Sequence, residues 1–278
     1  MAEARKRAIL LVAFGSSLPE GEAAIADMRA AVARAFPTVE VRTAYTSRFI
    51  VRKLVREGRR DVAEPLSALA RLATEGFPEV AVLSAHIIPG AEYRDLEAVV
   101  DGFRLMSQRG AKAGFRSVGL TPPLLSDAGD FDRLAAALAA RYAREAEDGA
   151  VVFVGHGSHH FADAAYAALQ MALRRVSPHF LVGAIEGSPS LEDVLVNLKR
   201  TGRKRVTLVP AMLVAGDHAR NDIAGDGDAS WRSAIAAEGC EVAPILRGLG
   251  SEPFVQQWLT ERARRLWDEM DAAAHCCA

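Results

Sequence analysis

The chain of 278 residues is poor in cysteine, with three, and in aromatic residues, which make up 6% of it. Cys240 stands alone, while Cys276 and Cys277 sit together in the terminal "HCCA". That spacing excludes the disulfide framework of a small secreted domain and fits a reducing compartment. The tail itself reads as an exposed, frayed terminus. Long hydrophobic runs are also missing: no stretch approaches the roughly 20 apolar residues of a membrane span. In "RKRAILLVAFGSS" (5–17) the apolar run after the basic residues covers only Ala8 to Phe14. A signal-peptide core needs roughly 7–15 such residues and then an A-x-A-type cleavage site, which does not follow. The run therefore reads as the first strand of a cytoplasmic protein. Charge of one sign is lacking too. The net charge of −1 gives no basic field for nucleic acid, so a polyanionic ligand would need a local cationic patch. Neither G-x-G-x-x-G nor a Walker A pattern occurs, which argues against a bound nucleotide. Without G-x-S-x-G there is no nucleophile elbow, and without H-E-x-x-H a zinc hydrolase loses its usual signature.

What is present is an ordinary globular balance, 50% hydrophobic and 25% charged, long enough for one large or two moderate α/β domains. Short β-rich runs fall at 8–14, 39–44, 80–84, 117–120, 151–154, 181–185, 206–209 and 240–245. Helical stretches lie between most of them, at 19–36, 61–75, 94–109, 129–146, 161–175, 190–200 and 253–272. In the first, Ile25, Met28, Val32 and Phe36 are spaced for one face. Such alternation predicts parallel sheets flanked by helices.

The pattern is written twice. Val12-Ala13-Phe14-Gly15-Ser16 matches Val154-Gly155-His156-Gly157-Ser158. "FPTVEVRTAY" (36–45) matches "SPHFLVGAIE" (177–186), pairing Tyr45 with Glu186. "VLSAHIIPGAEYRD" (82–95) matches "LVPAMLVAGDHARN" (208–221), pairing Glu92 with His218 and Arg94 with Arg220. Two similar three-layer, Rossmann-like α/β domains are expected, over 1–148 and 149–278, with the helix at 253–272 packing back on the first. In open parallel sheets, ligands bind beyond the carboxyl ends of the strands. Phe14, Tyr45, Glu92, His156, Glu186 and His218 all fall there and are expected to line one cleft between the domains.

The second half contributes His156, Glu186 and His218 to that set, and the first contributes Phe14, Tyr45 and Glu92. Two imidazoles and a carboxylate suit a borderline divalent ion such as Co²⁺, Fe²⁺, Ni²⁺ or Zn²⁺. Three protein ligands leave coordination positions open, as a transfer site requires. Taken singly, a strand-end histidine is more often a loop residue and a glutamate is usually solvated; their matched positions argue for a metal. In "GHGSHH", His159 and His160 are candidates to orient a substrate or to be plain loop residues. Asp217, beside His218, is either a partner of the imidazole or a turn residue.

With these residues in view, the chain resembles the anaerobic sirohydrochlorin cobaltochelatases, relatives of ferrochelatase among the ATP-independent class II chelatases. The resemblance is carried by "ILLVAFGSS", "RTAYTSRFIVRKL", "HIIPGAEYRDL", "VFVGHGSHHFADAAY", "VGAIEGSP" and "LVPAMLVAGDHARNDIAGD", in family order along nearly the whole chain. It implies a chelatase fold of two pseudo-twofold related domains, with His156, Glu186 and His218 as both metal ligands and catalytic residues. It implies insertion of Co²⁺ into sirohydrochlorin with release of two protons, on the way to cobalamin. His156 by preference accepts pyrrole protons. Phe14, Gly15, Ser16, Tyr45, Glu92 and Arg94 are expected to meet the macrocycle, and Arg48, Arg52 and Arg220 are further candidates for its carboxylates. Some periplasmic members carry a signal peptide and bind haem between subunits; a form without haem is expected here, although His86 and Arg94 lie where that feature would belong. Fe²⁺ accepts the same donors, so a sirohydrochlorin ferrochelatase for sirohaem is the nearest alternative. A non-catalytic tetrapyrrole or metal carrier is a second one. A homo-oligomer is left open.

Overall fold

The computed structural model describes residues 6–108 and 114–276; Cys277, part of the tail read as frayed, lies outside them. The chain groups into two compact units. One holds the residues through His86, Ala91–Pro123 and those from Gly250 onward, and the other holds Ile87–Gly90 and Leu124–Leu249.

The first unit runs β1 (Arg7–Ala13), α1 (Pro19–Ala35), β2 (Glu40–Tyr45), α2 (Arg48–Arg56), α3 (Pro65–Thr74), β3 (Glu79–Ser84), α4 (Ala91–Gln108) and β4 (Ser117–Leu120). Its strands pair in parallel in the order β2-β1-β3-β4. The central strand β1 is apolar without alternation, Ala8 to Ala13 being fully buried, as a parallel strand covered on both faces requires. On one face, Leu10, Val12 and Val82 pack with Leu69, Leu72, Leu96 and Val100 from α3 and α4. Helix α1 starts on Pro19 with Glu20 and Glu22 in its first turn, where a missing N–H and negative charge are both favourable.

The second unit repeats the plan: α5 (Ala128–Arg141), α6 (Ala143–Asp148), β5 (Ala150–Gly157), α7 (Ala164–Val176), β6 (Phe180–Glu186), α8 (Leu191–Thr201), β7 (Arg205–Pro210), α9 (Trp231–Ala237) and β8 (Glu241–Pro244). Its strand order, β6-β5-β7-β8, is the same topology. The last helix, α10 (Pro253–Cys276), belongs with the first unit and packs on α1, β3 and β4. There Gly119 of β4 leaves room for it: a Cβ at that position would stand 2.7 Å from Leu266. Among the described residues no helix is long and apolar enough to cross a membrane.

Two differences from the sequence-based expectation are instructive. The changeover between units falls at Pro123/Leu124 rather than at 148/149. Helix α5 packs on α7 of the second unit, Arg175 of α7 pairs with Asp132 of α5, and Tyr142 meets Phe153 of β5 edge-on at 5.5 Å. A helix preceding a strand in the chain thus covers that strand's own sheet. Register also departs from the sequence alignment. β1/β3 and β5/β7 pair alike, with Val12 opposite Ser84 and Val154 opposite Pro210. By contrast, Ala13 lies opposite Tyr45 while its counterpart Gly155 lies opposite Ala184. The structural equivalent of Tyr45 is therefore Ala184. Glu186 stands two residues further out, opposite Gly157, because β5 runs on through the glycine. A slip of two keeps every side chain on its own face.

Candidate functional site

The buried run Val151–Val154 ends in Gly155, His156 and Gly157. Each glycine has its own reason. A Cβ on Gly155 would stand 2.2 Å from the Tyr166 ring. Gly157 has φ +84°, and a Cβ there would fall 2.3 Å from the carbonyl oxygen of Glu186. The strand can turn this sharply beside its neighbour only with glycine at that point, and the turn presents the half-buried His156.

His218 reaches the same place from the loop after β7, immediately before a single π-helical turn, Ala219–Ile223. The Nε2 atoms of His156 and His218 are 3.2 Å apart, with the two rings perpendicular. Each Nδ1 is already engaged. His156 Nδ1 donates to the carbonyl of Gly157 at 3.1 Å, and His218 Nδ1 donates to Asp222 Oδ2 at 2.7 Å. Because a carbonyl and a carboxylate only accept, both rings are held with hydrogen on Nδ1. Both Nε2 lone pairs then point at one spot, an unfavourable arrangement unless a cation or a proton shares it. Nitrogens bound to one ion at about 2.0–2.1 Å stand about 2.8–3.0 Å apart in octahedral geometry and about 3.3–3.4 Å apart in tetrahedral geometry. The observed spacing lies between the two and nearer the tetrahedral value.

Glu186 ends β6 beside Gly157 and is exposed. Among the described residues no group of three or more His, Cys, Asp or Glu side chains is gathered round a single metal position, so the histidine pair is formed and the carboxylate stands apart from it. The partner of the His218 imidazole is Asp222, four residues on, whereas Asp217 is exposed. Of the loop histidines, His159 is exposed. His160 caps the short 3₁₀ turn Phe161–Asp163, its Nδ1 accepting from the Ala162 N–H at 3.2 Å.

The corresponding rim of the first unit has a different character. Gly15 again has a positive φ, +99°, but a Cβ there would meet the Tyr45 ring at 2.8 Å. Tyr45 is buried beneath it, while Phe14 is 41% exposed, so Phe14 presents the free aromatic face and Tyr45 supports it. Ser16 is buried, its Oγ accepting the Leu18 N–H at 3.1 Å in the turn that opens α1. Glu92 and Arg94 are exposed in the first turn of α4, with Arg94 paired to Glu97 at 2.8 Å. At the end of β3, His86 Nδ1 lies 2.8 Å from Ser84 Oγ while its enclosed Nε2 has no partner. Desolvation lowers its pKa from the usual 6.5 to about 4, so the ring is neutral at pH 7.

Residues 7–266 match the cobalt chelatase family described as CbiK. The chain belongs to the CbiK cobalt chelatase family. Within known proteins, it is 42% identical over 256 residues to the sirohydrochlorin cobaltochelatase CbiKC of Nitratidesulfovibrio vulgaris, covering 91% of this chain and 88% of that one. It is 36% identical over 252 residues to a sirohydrochlorin cobaltochelatase of Salmonella typhimurium, covering 90% of this chain and 92% of that one. Among solved structures, SirB from Bacillus subtilis with Fe³⁺ superposes with a TM-score of 0.64 at 15% identity, over 94% of this chain and 95% of that one. At that identity the likeness is one of fold: paired α/β units with parallel four-stranded sheets.

Proposed function

We infer that this member of the family inserts Co²⁺ into sirohydrochlorin, and that the ion is held by His156 and His218 while it is handed to the ring. The single observation that supports this most directly is the pair of convergent Nε2 atoms, 3.2 Å apart with each Nδ1 fixed by an acceptor. The named activity of the relatives at 42% and 36% identity supplies the metal and the macrocycle. Two imidazoles alone hold an ion in an open site. Glu186, two residues beyond the structural equivalent of Tyr45, adds the third ligand when the ion arrives and balances part of its charge. The barrier to insertion lies in stripping ligands from the ion and in removing two pyrrole N–H protons. An open, two-nitrogen seat leaves positions free for the incoming pyrrole nitrogens, and His156 accepts a proton as the ion leaves it. The reaction balances as Co²⁺ plus the neutral-core macrocycle giving the cobalt complex and two protons.

On the first unit, Phe14 offers an apolar face to the planar ring, and the Gly15–Ser16 turn brings main chain close to it. Fe²⁺ accepts the same nitrogen and oxygen donors, so the metal is assigned by the relatives' activity and not by ligand chemistry. The test is direct. Purified protein is mixed anaerobically with sirohydrochlorin and Co²⁺, Fe²⁺, Ni²⁺ or Zn²⁺ in turn, and absorbance is followed against an enzyme-free control. Co²⁺ is expected to give the fastest enzyme-dependent spectral change. A rate equal to the control for every ion would overturn the assignment, stoichiometric binding without turnover would point to a carrier, and a clear preference for Fe²⁺ would redirect it to sirohaem.

A further inference from the structure

Asp163 lies at the junction of the 3₁₀ turn and α7, yet its carboxylate does not cap that helix. It reaches instead to two loops. Oδ1 accepts the N–H of Ser158 at 3.1 Å and Oδ2 accepts the N–H of Ser188 at 2.7 Å. Ser158 is two residues past His156, and Ser188 is two residues past Glu186. One carboxylate therefore ties the segment leaving the histidine to the segment leaving the glutamate. The fit is close: a Cβ on Gly187 would stand 2.4 Å and 2.5 Å from the two Asp163 oxygens, so the residue after Glu186 must be glycine for the clasp to close. Gly157 and Glu186, just inside the clasp on each side, are opposite each other in the ladder. In the internal repeat the position of Asp163 is taken by Gly21 in the first unit, where no metal ligand is expected at the strand end.

We propose that Asp163 is a positioning residue which, by holding the Ser158 and Ser188 amides, sets the placement of Glu186 relative to His156 and so its ability to join the ion. The inference rests on the chelatase reading above. Hydrogen bonds from backbone N–H to a carboxylate are short and strong compared with neutral ones, and partners that orient ligands typically change metal affinity by about 10–100-fold when removed. Asp163→Ala frees both loops. Asp163→Asn keeps one acceptor oxygen and is the conservative rescue.

The experiment measures the Kd of the full chain for Co²⁺ alone, without tetrapyrrole, in the wild type, Glu186→Ala, Asp163→Ala, Asp163→Asn and the Asp163→Ala/Glu186→Ala double variant. Thermal unfolding checks the fold of each. Asp163→Ala is expected to weaken binding about tenfold and Asp163→Asn about threefold. In the Asp163→Ala background, Glu186→Ala should add less than about twofold, because Glu186 has already lost its place; contacting or linked residues show such non-additivity. A merely structural aspartate would leave the Glu186→Ala penalty intact. Wild-type affinity in Asp163→Ala, or full multiplication of the two effects, overturns the proposal. If Asp163→Ala does not fold, Gly187→Ala, which drives a methyl group into the carboxylate, enters the same cycle and is judged by the same criterion. A wild type that neither binds nor inserts Co²⁺ defeats the chelatase reading itself, whereas a competent wild type with an indifferent Asp163→Ala defeats this inference alone.

Discussion

The two units share a strand order and an identical β1/β3 and β5/β7 register, and both leave their first strand through a glycine with positive φ. They differ in what stands around that turn. The first has Phe14 before the glycine and a tyrosine ring beneath it; the second has His156 before it and the main chain of Glu186 beneath it. Across the repeat, Gly21 is the counterpart of Asp163, Glu92 of His218, and His86 of Met212. The backbone turn is a property of the scaffold, and the chemistry belongs to the few side chains grafted on its rim. One rim carries the paired imidazoles of His156 and His218, and the other presents the ring of Phe14. The sharpest way to break the comparison is to remove the seat. His156→Ala or His218→Ala should lower the turnover number for Co²⁺ insertion about a thousandfold, in the middle of what a general acid or base supplies, while sirohydrochlorin binding, followed by absorbance titration, stays near the wild type.

A smaller effect is expected from the residue that aims the seat. Asp222 fixes His218 with hydrogen on Nδ1 and its Nε2 lone pair toward His156. Asp222→Ala lets the ring rotate or take the other tautomer. Co²⁺ affinity should fall about 10–100-fold, read by titration of the apo protein with the metal. Unchanged affinity would mean that the Nδ1 contact is incidental. This residue also marks the limit of what the sequence made legible. The eight strands of the described residues were readable: β1, β3 and β5 are buried apolar runs cut off by glycine, proline or charge, whereas β2 and β8 showed only as short β-prone runs at matching places in the repeat. The histidine pair was readable from the repeat. Asp222 was not: its place beside His218 depends on a π turn, and nothing in "DHARND" distinguishes it from the exposed Asp217 next to the histidine. Helix α2 was missed although Ile50, Val51 and Leu54 are spaced for one face and Ser47 caps it by accepting the Ile50 N–H; it is short, nine residues, and dense in Arg and Lys, which reads as a charged loop. The two-residue slip that puts Glu186 outside the level of Tyr45 is decided by how far β5 extends, a tertiary choice that the alignment of the halves could not show. The changeover at Pro123/Leu124 is hidden in the sequence for a similar reason, since only packing reveals which sheet α5 covers.

The third contrast, His86 against Met212, concerns stability. His86 has its pKa lowered to about 4 by desolvation. Between pH 6.5 and 4 the unfolded chain binds a proton at this position that the folded chain does not, so stability falls as pH falls through that window. The full shift corresponds to about 3 kcal/mol; because the residue as a whole is half-buried, about 2 kcal/mol is the expected loss. His86→Met, which copies the second unit, should flatten the pH dependence by that amount. Trp258 and Trp267 report on the first unit and Trp231 on the second, so urea unfolding of a Trp231→Phe background, followed by fluorescence at pH 7 and pH 4, isolates the relevant transition. An equal loss of stability with and without the His86→Met change would show that burial does not restrain this histidine from taking up a proton.

The smallest effect tests the apolar rim. Phe14 is 41% exposed at the end of β1, over a glycine that is itself seated on Tyr45. If the proposed ring contact is made, it is a stacking contact, and such aromatic contacts are worth about 0.5–1.5 kcal/mol beyond the area they bury. Phe14→Ala should therefore raise the KM for sirohydrochlorin about fivefold and leave the Kd for Co²⁺ alone unchanged, while Phe14→Trp keeps the KM near the wild-type value. The informative quantity is the split between the two ligands: a residue that meets only the macrocycle moves KM and leaves the Kd for Co²⁺ alone unchanged. A Phe14→Ala chain that loses Co²⁺ affinity as well would show that the first rim takes part in holding the metal. Equal KM in all three chains would place the macrocycle elsewhere on the surface, and the exposed aromatic would then be a feature of the scaffold only.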